Sequence, residues 1–285
     1  MLTLRGPKSP RIGSELNQLS IIQDGSLLVR DGVVEEVGPT RRVENLALAR
    51  QAIEVSAAGR VVMPGFVDSH THLVFPVPGG PAGDRETEVR TLHATTALQL
   101  KARARTYLQA MARHGTTTVE VKTGCGADAN AEMKILRVLA DLREKQPDVV
   151  PSFLFRLAPT GYDAVESTPN DWRWVCSEFL PKIRRRRLAD FADLLWDGLP
   201  SHAAALTSYW HAARRLELGC KLHADTAQIS AAAVAAAENR AVSIDHLERA
   251  TAADATAVSQ SGAVATLLPC ASFHDGGHML TPAPS

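Results

Sequence analysis

Strand-like and helix-like segments alternate along most of this sequence, and this alternation constrains the fold more than any other feature. From residue 59 onward, short apolar runs are separated by longer segments with helical spacing. The strand-like runs cover residues 61–67, 116–124, 149–157, 188–196, 219–225, 241–247 and 263–269. Repeated β-then-α units build a parallel sheet with right-handed crossovers. The sequence therefore predicts an α/β fold that is either doubly wound or closed into a barrel.

Two segments between these runs have apolar residues at the spacing of an amphipathic helix. The first pattern ends at a glycine, as helices often do, and the second follows the next strand-like run. The residues of the first pattern are Leu100, Ala104, Leu108 and Met111, followed by Gly115, and those of the second are Met133, Leu136 and Ala140. We expect both helices to pack one face on the sheet.

Residues 1–58 differ from the rest of the chain. The stretch LSIIQDGSLLVRDGVVEEVGP, residues 19–39, carries two Asp-Gly pairs between short apolar runs. Asp-Gly between alternating apolar residues is a strong hairpin signal. We therefore predict a small all-β unit over residues 1–58 and an α/β barrel over residues 59–285.

Composition excludes several classes of function. Lys plus Arg and Asp plus Glu both total 31, so no net basic field is available to hold a nucleic acid. The sequence has no apolar stretch long enough to cross a bilayer, and its first residues lack the apolar core of a secretory signal. Its four cysteines are far apart and form no CxxC pair, which fits reduced thiols. We expect a cytoplasmic protein with no membrane and no nucleic-acid partner.

The segment GFVDSHTHL, residues 65–73, places two histidines one residue apart at the end of a strand-like run. His70 and His72 share one side of a strand and are separated by about 6.6 Å of chain, so both imidazoles can reach one divalent metal. Two strand histidines paired with ordinary neighbours are the alternative. His223 and His246 end two further strands, and a set that converges at strand ends favours a site.

Five segments, in their order and spacing, resemble the amidohydrolase superfamily and, within it, the imidazolonepropionases of histidine degradation. They are VVMPGFVDSHTHLVF, GTTTVEVKTGCG, KLHAD, SIDHLE and ATLLPCASF. The resemblance covers essentially the whole chain. It implies a TIM-like (β/α) metal-dependent hydrolase barrel that lacks its last strand, preceded by an N-terminal β-sandwich unit.

The resemblance also implies a metal centre. His70, His72 and His223 correspond to its ligands, and His246 corresponds to a catalytic residue beside the scissile bond. Other members bridge two metals with a lysine on the fourth barrel strand, and residues 188–196 contain none. A single zinc ion, with ferrous iron as the alternative, is therefore expected to open the C–N bond of a cyclic amide. Lys122, on the second barrel strand, is expected to form a structural ion pair.

Four residues correspond to substrate-binding positions. Arg85 stands roughly where the family has its carboxylate-binding arginine, and a guanidinium suits a propionate. Cys125, Leu157 and Thr226 stand where the family has tyrosine, histidine, and glutamate or glutamine. Loss of these polar contacts shifts specificity. We expect weak turnover of imidazolone propionate to N-formimidoyl-glutamate and a preference for a less polar cyclic amide.

The family's last-strand aspartate, which takes the proton of the attacking water, has no counterpart before Ser285. The sequence therefore predicts a poor catalyst whose unpaired strand edges cause association between copies of the chain. A homodimer is one possible product of this association. Two further interpretations also stay open. One is another amidohydrolase branch, such as a deaminase or a dihydroorotase-like enzyme, and the other is a truncated homologue without turnover.

Overall fold

The computed structural model describes residues 1–6, 10–74, 85–124, 128–143, 147–156, 172–196, 203–224 and 232–274. The chain separates into two compact units, Met1–Gly65 and Phe66–Pro284. The sequence places this boundary at residue 58. Of the helices in the described ranges, none combines the length and the apolar character needed to cross a membrane.

The N-terminal unit contains an antiparallel hairpin of β1 (Gly25–Arg30) and β2 (Val33–Pro39). Asp31 and Gly32 connect the strands with φ angles of 51° and 79°, the left-handed conformation that such tight turns require. The hairpin at the second Asp-Gly pair is thus confirmed. A short helix, α1 (Thr40–Val43), follows β2 directly. Single 3₁₀ turns cover Gly13–Asn17 and Ala49–Gln51.

The second unit is built on seven parallel strands, each hydrogen-bonded to the next in chain order. The strands are β3 (Phe66–Thr71), β4 (Thr116–Lys122), β5 (Asp148–Arg156), β6 (Phe191–Leu195), β7 (Gly219–Ala224), β8 (Ser243–His246) and β9 (Val264–Thr266). Each of the seven predicted strand runs overlaps one of these strands. The architecture is a TIM-like barrel, of which the described residues hold seven strands where a complete barrel has eight.

Helices follow each strand of the barrel. They are α2 (Arg85–Ala94), α3 (Ala97–Arg113), α4 (Ala129–Ala140), α5 (Trp172–Trp174), α6 (Leu180–Arg185), α7 (Ala203–Arg215), α8 (Ala232–Glu238), α9 (Ala252–Ser261) and α10 (Pro269–His274). A π-helical turn, Val175–Phe179, joins α5 to α6. The predicted apolar stripes lie on α3 and α4, and Leu100, Ala104 and Leu108 of the first stripe are buried.

The first barrel strand differs from its prediction. The sequence indicates a buried strand that begins near Val61, whereas β3 begins at Phe66. Val61, Phe66 and Val67 are all exposed. The reason is that β3 is the first strand of the sheet order and pairs with β4 alone among the described strands. An outer strand buries less apolar surface than a central one, so β-branched residues there do not report burial.

Gly124, two residues after β4, has a φ of +82°, and a Cβ atom there would lie 2.6 Å from Cγ of Leu154. Gly262, at the end of α9, has a φ of +79° and nothing within 4 Å of the same position. We expect Gly262→Ala to lower the free energy of unfolding by about 1–2 kcal/mol through backbone strain alone. Gly124→Ala should cost about 1–3 kcal/mol more because Leu154 must move. Urea unfolding measures both, and equal losses would contradict the steric argument.

Candidate metal centre

Three histidines from three strands meet at the carboxyl edge of the barrel. His70 lies near the end of β3, His223 near the end of β7, and His246 is the last residue of β8. One ring nitrogen of each lies within 4.8 Å of those of the other two. The ring centroids of His223 and His246 lie 4.7 and 5.0 Å from that of His70. The predicted convergence of histidines at strand ends is therefore what the structure shows.

His72 lies beside this group. Its ring centroid is 5.6 Å from that of His70, and the two rings meet edge to face. The three nitrogens within 4.8 Å of one another belong to His70, His223 and His246. The geometry thus adds His246 to the predicted group of potential ligands. Which three histidines would hold a metal stays a prediction.

Two buried aspartates hold two of the histidine rings. Nδ1 of His70 lies 2.7 Å from Oδ2 of Asp245, and Nδ1 of His223 lies 3.1 Å from Oδ1 of Asp193. Burial alone raises the pKa of both carboxyls, but the neighbouring histidines and Lys122 outweigh it and hold both pKa values well below the ordinary range. An ionised carboxylate only accepts hydrogen bonds. Nδ1 is therefore the donor in both rings, and in a neutral ring Nε2 keeps its lone pair.

His223 fits a metal-ligand role most closely. Burial lowers the pKa of its ring to about 4, against the opposing effect of Asp193, so the ring is neutral near pH 7. Its Nε2 atom is buried and has no hydrogen-bond partner within the described part of the chain. A buried nitrogen without a partner is costly unless something binds it. Neutral imidazoles suit zinc and ferrous ions, so these residues fit a divalent metal.

Behind the histidines lies a fully buried lysine. Nζ of Lys122 is 2.7 Å from Oδ2 of Asp193, 2.9 Å from Oδ2 of Asp245 and 2.9 Å from Oε1 of Glu120. Burial lowers the pKa of this amine, but the three carboxylates outweigh that effect and raise it above its ordinary value. Lys221 binds the other oxygen of Glu120. The predicted ion pair of Lys122 is thus confirmed as part of a larger buried network.

His246 is held in a different way. Its Nδ1 atom lies 3.0 Å from Oε1 of Glu248, and the hydroxyl of Ser272 donates to the same oxygen at 3.3 Å. Burial lowers the pKa of the ring, and Glu248 opposes this shift. His246 and Leu247 both have positive φ angles, 78° and 63°. Two consecutive left-handed residues other than glycine are strained, and such strain is typical of functional sites.

Comparisons with known proteins give the family. A profile of the amidohydrolase family matches residues 61–155. An imidazolonepropionase of Solibacter usitatus is 32% identical over 97% of this chain and 70% of its own length. This chain belongs to the imidazolonepropionase family of amidohydrolases. Imidazolonepropionases of Porphyromonas gingivalis and Brevibacillus brevis are 33% and 34% identical, over 69% and 68% of their lengths.

Solved structures share the fold. A 5-methylcytosine deaminase of Klebsiella pneumoniae liganded with phosphonocytosine has a TM-score of 0.61 and 15% identity, over 91% of this chain and 65% of its own. An A. niger ochratoxinase has a TM-score of 0.58 and 16% identity, over 92% of this chain and 65% of its own. The chain therefore spans slightly less than two thirds of these structures. At this identity they show the fold alone.

The predicted substrate-binding residues of this imidazolonepropionase-family chain are not tested by the structure. Arg85 is the first residue of α2, and its side chain is outside the described part. Cys125, Leu157 and Thr226 lie outside the described residues. Their roles stay predictions.

Three positioning carboxylates were missed by the sequence analysis. Asp193 and Asp245 hold His223 and His70, and Glu248 holds His246. A partial signal for one of them, Asp245, is present in the sequence, because polar residues recur at every second position of otherwise apolar strands. The pairs are Glu120 and Lys122, Lys221 and His223, and Ser243 and Asp245.

Proposed function

We propose that this chain is a metal-dependent hydrolase that opens the C–N bond of a cyclic amide. The relatives suggest imidazolone propionate, or a related cyclic amide, as the small-molecule substrate. The observation that carries the proposal is the convergence of three histidines, one of which keeps a buried Nε2 atom without a partner in the described residues. A cytoplasmic location, a homodimer and the N-terminal β-sandwich stay predictions.

We infer that one divalent metal is held by His70, His72 and His223, with zinc favoured and ferrous iron as the alternative. Three protein ligands are typical of a catalytic metal, whereas structural sites use four. When bound, such a metal would supply Lewis-acid chemistry that activates a water and polarises the amide carbonyl. Asp245 and Asp193 keep the rings of His70 and His223 in the tautomer whose Nε2 atom is free to bind.

His246 is the proposed catalytic residue. Its Nδ1 atom is engaged by Glu248, so Nε2 is the nitrogen that remains for the substrate. Burial favours the neutral ring, whose Nε2 can accept a proton from the attacking water. Glu248 then stabilises the imidazolium, which donates its Nε2 proton to the carbonyl oxygen or the leaving nitrogen. The same residue thus takes a proton at one step and returns it at the next.

The substrate side rests on residues whose contacts stay predictions. Arg85 is proposed to bind a substrate carboxylate through paired hydrogen bonds. Cys125, Leu157 and Thr226 provide fewer polar contacts than the family residues they replace. We therefore propose a cyclic amide less polar than imidazolone propionate as the preferred substrate.

A substrate panel tests the proposal. The metal-loaded chain is assayed with imidazolone propionate, with less polar cyclic amides and with an aminated heterocycle. We expect metal-dependent ring opening of a cyclic amide and no ammonia release from the heterocycle. His246→Ala should lower kcat by about 10²–10⁴-fold because a proton-transfer group is lost. His211→Ala, an exposed position on α7, is the control.

Two results would contradict the proposal. Ammonia release from the heterocycle would favour the deaminase branch. A metal-loaded chain that opens none of the amides would favour the homologue without turnover.

A further inference from the structure

We propose that Lys122 is a positioning residue that holds the two aspartates behind His70 and His223 and thereby sets the geometry of the metal centre. The inference rests on the metal centre of the proposed function and adds a residue that does not touch the metal. Lys122 acts through Asp245 on His70 and through Asp193 on His223. One ammonium group thus connects two of the proposed ligands.

The contacts of Lys122 form two parallel chains, one that begins with an ion pair and one that begins with a hydrogen bond. In one chain, Nζ lies 2.9 Å from Oδ2 of Asp245, and the same oxygen accepts from Nδ1 of His70 at 2.7 Å. In the other chain, Nζ lies 2.7 Å from Oδ2 of Asp193, whose Oδ1 accepts from Nδ1 of His223 at 3.1 Å. Both chains lie in the buried interior, so water does not screen them.

A cation is needed between these aspartates because they lie close together. A carboxylate oxygen of Asp193, one of Asp245 and a ring nitrogen of His223 all lie within 4.8 Å of one another. Two buried carboxylates at this separation repel each other strongly. Nζ of Lys122 contacts both and offsets the repulsion. Without it, we expect the aspartates to move apart and to turn the two histidine rings away from a shared metal.

The strand positions explain why a single residue has this effect. Lys122 lies on β4, Asp193 on β6 and Asp245 on β8, whereas the histidines they hold lie on β7 and β3. The ammonium group therefore joins strands that are not neighbours in the sheet. Ring orientation at a metal depends on such outer contacts, whose loss typically lowers metal affinity 10–100-fold.

Lys221 supplies a matched control. It is also buried, and it binds Glu120 of the same network. Glu120 contacts Lys122, but none of its contacts in the described part of the chain is with a histidine. Loss of Lys221 therefore removes a buried ion pair of the barrel without removing the cation from Asp193 and Asp245.

The test measures zinc affinity by competition with a chromophoric chelator in the wild type, Lys122→Met and Lys221→Met. Cobalt-substituted samples report the ligand geometry through visible absorption, and unfolding is followed in parallel. We expect Lys122→Met to weaken zinc binding at least about tenfold and to change the cobalt spectrum. Lys221→Met should keep the affinity within about twofold and the spectrum unchanged, because the contacts behind the histidines persist.

If Lys122→Met does not fold, Lys122→Gln replaces it, because glutamine keeps hydrogen-bond donors without the charge. The same weaker zinc binding and changed cobalt spectrum are expected of Lys122→Gln. Wild-type affinity and spectrum in a folded Lys122 variant would overturn the inference, as would an equal loss in Lys221→Met. Failure of the proposed function gives a different result from failure of this inference. A wild type that binds zinc but opens no cyclic amide contradicts the reaction and leaves the affinity comparison valid.

Discussion

Removal of both histidines of the His-x-His segment is expected to empty the metal centre. We expect the wild type to bind about one zinc or iron ion per chain and His70→Ala/His72→Ala to bind almost none, because two of three ligands are lost. Metal analysis after equilibrium dialysis provides the measurement. His211→Ala, on the exposed face of α7, should keep the metal of the wild type. Full metal content in the double variant would contradict the assignment.

Single variants separate the two ligand sets that the geometry allows. The family resemblance gives His70, His72 and His223, whereas the three closest nitrogens belong to His70, His223 and His246. Since Nδ1 of His246 is engaged by Glu248 and its proposed work is proton transfer, we expect His246→Ala to keep the metal. His72→Ala should lose it. If instead His246→Ala lost the metal and His72→Ala kept it, His246 would be a ligand. The proposed proton transfer by His246 would then be wrong.

The parallel strands could be predicted because they carry their own signal, whereas their closure into a barrel followed from the family resemblance. Central strands such as β5 and β7 are covered on both faces, so they appear in the sequence as short β-branched or apolar runs between helical patterns. The first strand could not be delimited in this way. Val61 and Phe66 are both apolar residues of the same strand-like run, but of the two only Phe66 pairs with a neighbouring strand, at Thr116. Pairing across the sheet, rather than local composition, sets where β3 begins.

The histidines of the site were predictable for a similar reason. His70, His223 and His246 each lie at or one residue before the end of a strand, and parallel strands bring their ends to one edge. Which carboxylate contacts which histidine was not predictable, because His70 and Asp245 are far apart in sequence and meet only through the register of the barrel. Glu248 was missed for another reason. Its contact with His246 depends on two left-handed residues that no sequence pattern announces.

The largest expected loss of stability follows Lys122→Met. Lys122 is fully buried and contacts three carboxylates, so its removal leaves buried negative charge without its partner. Breaking a buried ion pair on one side typically costs about 3–5 kcal/mol. Because domains are stable by about 5–15 kcal/mol, the variant should fold but unfold at a much lower urea concentration. Equilibrium urea unfolding of the metal-free proteins measures the difference without any contribution from bound zinc.

Lys101→Met removes the same side-chain chemistry from the surface. Nζ of Lys101 lies 2.8 Å from Asp141, whose side chain is 64% exposed, and such pairs contribute about 0–1 kcal/mol. We expect this control to unfold within about 1 kcal/mol of the wild type, because water solvates Asp141 when its partner is lost. Because both variants replace lysine by methionine, the difference between their losses of unfolding free energy measures the effect of burying the ion pair. An equally small loss of unfolding free energy in Lys122→Met would contradict this prediction. It would mean that the three carboxylates bind other partners or become protonated when Lys122 is removed.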